Sequence, residues 1–143
     1  MTGTNVERVI NAPFEKVWEI ATDLKRWEEW NTLFTKWKGD VPDSMSQGTQ
    51  MTAVLTIMGM ANTITLTVDE YDPPRIVVMS GTGMAGAKVS LTLSVDADGD
   101  TTQMRARADF ESQMMVGAIG KAIERAAKKE LDASLEKLAE IVE

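Results

Sequence analysis

The chain has 143 residues, 43% of them hydrophobic, which is enough for one substantial core in a single domain, and a formal net charge of −7. It contains no histidine and no cysteine, which excludes a Ser-His-Asp triad, a thiolate nucleophile, a His or Cys zinc site and any disulfide. The negative balance argues against a nucleic-acid groove, because phosphate binding rests on clustered Lys and Arg.

Asn5 to Ile10 reads as a short strand, and "NAPFEKVWEIAT" then starts a helix. Ala12 precedes a proline and is pushed towards extended geometry, while Pro13 suits the first helical position. Phe14, Val17, Trp18 and Ala21 fall at i, i+3, i+4 and i+7, a stripe that places Trp18 in the core. Asp23 caps a second short helix in which Leu24, Trp27 and Trp30 follow at three-residue steps.

After Trp30 the period changes to two. "LFTKWKG" is a strand; "TQMTAVLTIMG" alternates Met51, Ala53, Leu55 and Ile57 against mostly polar partners. "MANTITLTVDEY" sets Ile64, Leu66 and Val68 against Thr63, Thr65, Thr67 and Asp69, and "RIVVMSG" is a strand without an assignable inward face. "AKVSLTLSV" turns Val89, Leu91, Leu93 and Val95 inward, and "TTQMRARADF" does the same with Met104, Ala106, Ala108 and Phe110. From Met114 the pattern is helical, with Ile119, Ile123, Ala127, Leu131, Leu135, Leu138 and Val142 on one ridge. The connections "MGM", "YDPP", "GTGMAG" and "DADGD" are short and rich in turn residues, so consecutive strands pair as antiparallel hairpins. The expected class is α+β: a curved seven-stranded antiparallel sheet wrapped around a long C-terminal helix, with two short helices after the first strand.

No apolar run approaches the roughly 18 residues of a membrane span, and no basic-then-apolar segment leads the chain. The absence of cysteine fits a reducing compartment, so a cytoplasmic location is expected. Gly81, Gly83 and Gly86 satisfy G-x-G-x-x-G, but the segment that follows alternates as a strand, so a hairpin turn is expected there and not a dinucleotide site. Lys121, Arg125, Lys128 and Lys129 share one side of the last helix, interrupted by Glu124 and Glu130, and read as a solvated face. Acid-base chemistry would fall to carboxylates, Lys or Tyr71. Glu70 continues the inward phase of its strand and Tyr71 closes the "EYDPPR" turn, but nothing assembles a nucleophile with its base. No catalytic residue, metal site or cofactor is assigned.

The segment "INAPFEKVWEIATDLKRWEEWN", the "YDPPR" turn and the long terminal helix resemble the polyketide cyclase/dehydrase and lipid-transport proteins of the START-like (SRPBCC), helix-grip superfamily. The likeness runs over residues 1–143 as one domain, and looks closest to small actinobacterial members, some described as toxins of type II toxin-antitoxin pairs. The resemblance implies a cavity between sheet and long helix for a hydrophobic small molecule or lipid, and it implies no reaction. It also leaves open a toxin-like protein that docks an antitoxin-like polypeptide, and a cyclase or dehydrase working through carboxylates.

Turns of a meander alternate between its ends, so "MGM", "GTGMAG" and the start of the last helix share one end. Met58, Met60, Met84, Met114 and Met115 gather there with Gly59, Gly83, Gly86, Gly117 and Gly120, which suggests a pliable apolar entrance. The candidate lining is Trp30 and Leu33 from the helix-to-strand corner; Leu55, Ile57, Ile64, Leu66, Leu91, Leu93, Met104, Ala106 and Phe110 from the strands; and Met84, Met115, Ile119 and Ile123 from the entrance and helix. Trp27 reads as a corner packing residue.

Overall fold

The computed structural model describes residues 2–83, 87–111 and 117–143. Strand β1 (Thr2–Ile10) leads into helix α1 (Phe14–Ala21), a 3-10 turn at Leu24–Arg26 and the single-turn helix α2 (Trp27–Trp30). A six-strand meander follows, made of β2 (Phe34–Lys38), β3 (Gln50–Ile57), β4 (Met60–Asp72), β5 (Ile76–Thr82), β6 (Lys88–Asp98) and β7 (Thr101–Glu111). Helix α3 (Gly117–Val142) closes the order. The seven strands lie in the order β1-β7-β6-β5-β4-β3-β2, and every pairing is antiparallel. Because β1 and β2 occupy opposite edges, α1 and α2 carry the chain from one edge to the other, and α3 packs on β1, β7, α1 and α2.

Local chemistry explains each boundary. Pro13 is the N-cap and not the first helical residue: its backbone is extended (φ −65°, ψ 148°), and its carbonyl accepts the N–H groups of Lys16 and Val17. Asp23 caps the 3-10 turn by accepting the Lys25 N–H. Strand β1 starts earlier than its apolar pattern because the polar Thr4 is buried opposite Ala108. The buried Thr102 donates to the Ala12 carbonyl at 2.7 Å and so fixes where β1 hands over to α1.

One expectation about β4 needs correction. Glu70 is exposed, because the β4–β5 register slips between Val68 and Glu70. Such a bulge shifts the side-chain phase by one residue, which turns Tyr71 towards Trp18 at a ring separation of 5.9 Å. The inward face of β5, unassigned from sequence, carries the buried Val77 and Met79. The helical pattern expected from Met114 is seen from Gly117; Met114 lies outside the described residues.

The glycine motif serves the sheet. Gly81 faces Leu66 across an antiparallel pair, and a Cβ there would run into the Thr65 carbonyl oxygen and sit 2.8 Å from Ile64 Cγ2. A Cβ at Gly83 would likewise sit 3.2 Å from Ile64 Cγ1, and the Gly83 N–H donates to the Ala87 carbonyl across the β5–β6 turn. Gly86 lies outside the described residues. Gly81→Ala should therefore lower stability by about 2 kcal/mol through overpacking, read as a shift of the urea midpoint. An unmoved midpoint would mean that β4 and β5 do not approach so closely.

Candidate ligand-binding cavity

The tryptophan-rich corner is built around Trp27, which is 1% exposed. Its ring lies 6.4 Å from Trp30, 6.1 Å from Phe34 and 5.2 Å from Trp37, the first two contacts being edge-on. Edge-on aromatic pairs add to stability beyond the area they bury. Trp27 Nε1 donates to the Ala21 carbonyl at 3.0 Å and Trp37 Nε1 to the Leu24 carbonyl at 3.1 Å, so the cluster also locks the α1-to-α2 turn.

Polar groups latch this corner onto α3. The Thr32 N–H donates to Ser134 Oγ at 2.9 Å, and the hydroxyls of Thr32 and Ser134 both reach the Glu130 carbonyl at 2.8 Å. On the outer side, Arg26 forks onto Glu29 at 2.9 and 3.0 Å. The hydrogen bond from Arg26 holds the Glu29 carboxyl below its ordinary range. A lowered folded value means that the pair's contribution is present above the ordinary carboxylate pKa and is lost as pH falls through the lowered one. Both groups are well solvated, so that contribution is small.

Between corner, sheet and α3 lies a cavity of about 30 Å³. Of the residues expected from sequence, Trp30, Leu33, Leu55, Leu91, Leu93 and Ala106 line it. Ile64, Leu66 and Met104 are buried but are not part of its wall; they fill the core elsewhere. Ile57, Phe110 and Ile123 are half-buried and Ile119 is 56% exposed, all outside the wall. Met84 and Met115 lie outside the described residues.

Sequence reasoning missed other lining residues. Trp27 is wall as well as corner packing. Leu131 and Leu135 also line the cavity, and the apolar ridge of the last helix already carried their signal. Met79 comes from the strand whose face was unassigned, and Ser134 from a polar position that no apolar period marks. Asn31, Thr92 and Arg107 complete the lining. Arg107, the one ionisable residue among them, has a half-exposed side chain that forks onto Asp109 at 2.8 Å.

One residue of the lining carries a fully buried donor without a partner. Trp30 is 3% exposed, and its Nε1 is the one buried side-chain N or O without a hydrogen-bond partner among the described residues.

Burial along α3 is uneven. Its second half buries Leu131, Ser134, Leu135, Leu138, Ala139 and Val142, whereas its first half buries only Gly120 and Ala127. Exposure rises towards the end of the sheet where α3 begins: Ile57, Phe110 and Ile123 are half-buried, and Met58, Met60 and Ile119 are 56%, 45% and 56% exposed. Met58 and Met60 therefore project from the sheet end and do not plug it. Lys121, Arg125, Lys128 and Lys129 are exposed on the outer side of α3.

A curled seven-stranded antiparallel sheet gripping one long C-terminal helix, with short helices bridging its edges, defines a START-like, helix-grip protein. A START superfamily protein from Mycobacterium smegmatis shares this fold with a TM-score of 0.78 at 19% identity, over 98% of this chain and 96% of that one. The chain belongs to the family described as polyketide cyclase / dehydrase and lipid transport, which matches residues 1–143. It is 31% identical to an uncharacterized protein of Mycobacterium tuberculosis over 127 residues, 89% of each chain. It is 28% identical to a protein of the same organism named as a toxin, over 124 residues, 87% of this chain and 86% of that one. Among the described residues no helix is long and apolar enough to cross a membrane.

Proposed function

We propose that the protein binds and carries a lipophilic small molecule between its sheet and α3. The observation that carries this reading is the apolar cavity beside Trp30, together with the weak burial of the half of α3 nearest the sheet end. At about 30 Å³ the cavity has room for one or two water molecules, far below the roughly 300 Å³ or more of a typical ligand pocket. A ligand must therefore enlarge it, and the segment that yields is the first half of α3. Displacing that half breaks few buried contacts, while the Thr32–Ser134 latch and the deeply buried second half stay in place.

The test is a titration with methyl cis-parinarate and with 9-fluorenone, followed by tryptophan fluorescence. Saturable binding at one site with a Kd near the micromolar range, about −8 kcal/mol, is expected, with quenching dominated by Trp30. A folded protein that takes up neither probe would sink the reading.

A second reading, docking of an antitoxin-like polypeptide, is supported by the relative named as a toxin and by the exposed Met58 and Met60. It calls for a stable one-to-one complex with the product of an adjoining small reading frame. Cyclase or dehydrase chemistry finds less support, since no carboxylate or lysine is part of the described lining.

A further inference from the structure

Within one aromatic cluster, three indoles meet different fates. Trp27 and Trp37 each donate to a backbone carbonyl, whereas Trp30, buried as deeply as its neighbour, finds no acceptor among the described residues. Leaving a buried donor unmade is costly, and native chains rarely do so without a reason. Trp30 also lines the cavity. Of the other polar groups on lining residues, Asn31 Oδ1 accepts the Leu33 N–H and Ser134 Oγ is tied to Thr32 and Glu130, while the exposed Arg107 guanidinium turns away from the interior and forks onto Asp109.

We infer that Trp30 Nε1 is the polar anchor of the bound molecule, donating to a neutral acceptor oxygen such as the carbonyl of a ketone, quinone or ester. This deepens the carriage reading and rests on it. An indole N–H only donates, so the ligand must present an acceptor, and no lining carboxylate stands ready to receive an ammonium group. A free carboxylate is disfavoured too. No cationic side chain of the described lining faces the interior, since Arg107 alternates with the buried Ala106 and Ala108 and turns outward onto Asp109, and burying an unpaired charge costs far more than burying a neutral carbonyl. The apolar body of the ligand then lies along Leu55, Leu91 and Leu93 towards the half-buried Ile123.

Two rigid polycycles of nearly the same shape test this: 9-fluorenone, which carries a carbonyl, and fluorene, which does not. The wild-type protein should bind fluorenone about tenfold more tightly than fluorene, the usual scale of one well-made buried hydrogen bond. In Trp30→Phe the ratio of fluorenone to fluorene affinity should shrink to within about twofold, whatever the loss of wall contact does to both affinities together. In an amide correlation spectrum of the wild type, the Trp30 indole proton should move downfield with fluorenone and not with fluorene. If the variant fails to fold, that resonance decides alone. Fluorene and fluorenone bound equally well by the wild type, or a preference that survives in Trp30→Phe, would overturn the anchor while leaving carriage intact. Binding of neither polycycle would overturn the anchor, and refusal of methyl cis-parinarate as well would overturn carriage.

Discussion

Trp27→Ala should cost the protein about 4 kcal/mol, the range for removing a large buried aromatic side chain. Trp27 stands at the centre of the corner: its ring touches Trp30, Phe34 and Trp37, and its Nε1 holds the Ala21 carbonyl. Truncation removes the three ring contacts, opens a large void and leaves that carbonyl without its donor. Against a total stability of roughly 5–15 kcal/mol for a domain of ordinary size, such a loss leaves the variant marginal near body temperature. Urea unfolding followed by far-UV circular dichroism measures it. Trp27→Phe, which keeps much of the ring but not the donor, should fall between the two. A loss below about 1 kcal/mol for the alanine variant would show that Trp30, Phe34 and Trp37 close over the gap.

Ala106→Val should leave the protein folded and cut fluorenone affinity by at least about tenfold, since misfit in a packed site costs about 1–3 kcal/mol. Ala106 is 2% exposed, lines the cavity from β7 and pairs with Leu93 and Val6 on its two sides. Two added carbons occupy the space into which a ligand must expand, and a β-branched residue suits a strand. Stability should stay within about 1 kcal/mol of the wild type, because the burial gained offsets some strain. Calorimetric titration beside a thermal melt separates the outcomes. Unchanged affinity in a folded variant would move the ligand away from the interior. A loss of several kcal/mol of stability would mean that this space cannot accept even two carbons.

The order of elements was legible in the sequence because it follows from local chemistry. The change of period after Trp30, the turn residues between strands and the ridge from Ile119 to Val142 each depend on near neighbours. Short hairpins leave antiparallel pairing as the economical solution, so the meander and the shared end of "MGM", "GTGMAG" and the last helix followed as well. Even Trp30 as a wall could be read from where the corner meets the sheet.

What the period could not carry was decided by packing in three dimensions. Alternation puts Leu66, Met104, Leu91 and Ala106 on one face of the sheet, but only fitting the side-chain volumes beneath α3 separates the first two, which fill the core, from the last two, which border the cavity. The bulge before Glu70 reversed the phase of a strand end through one extra residue, an event that a local pattern does not announce. The contrast between Trp27, Trp37 and Trp30 lies further still from the sequence. All three are tryptophans of one cluster, and whether an indole meets a carbonyl depends on the path of backbone brought to it by the tertiary fold.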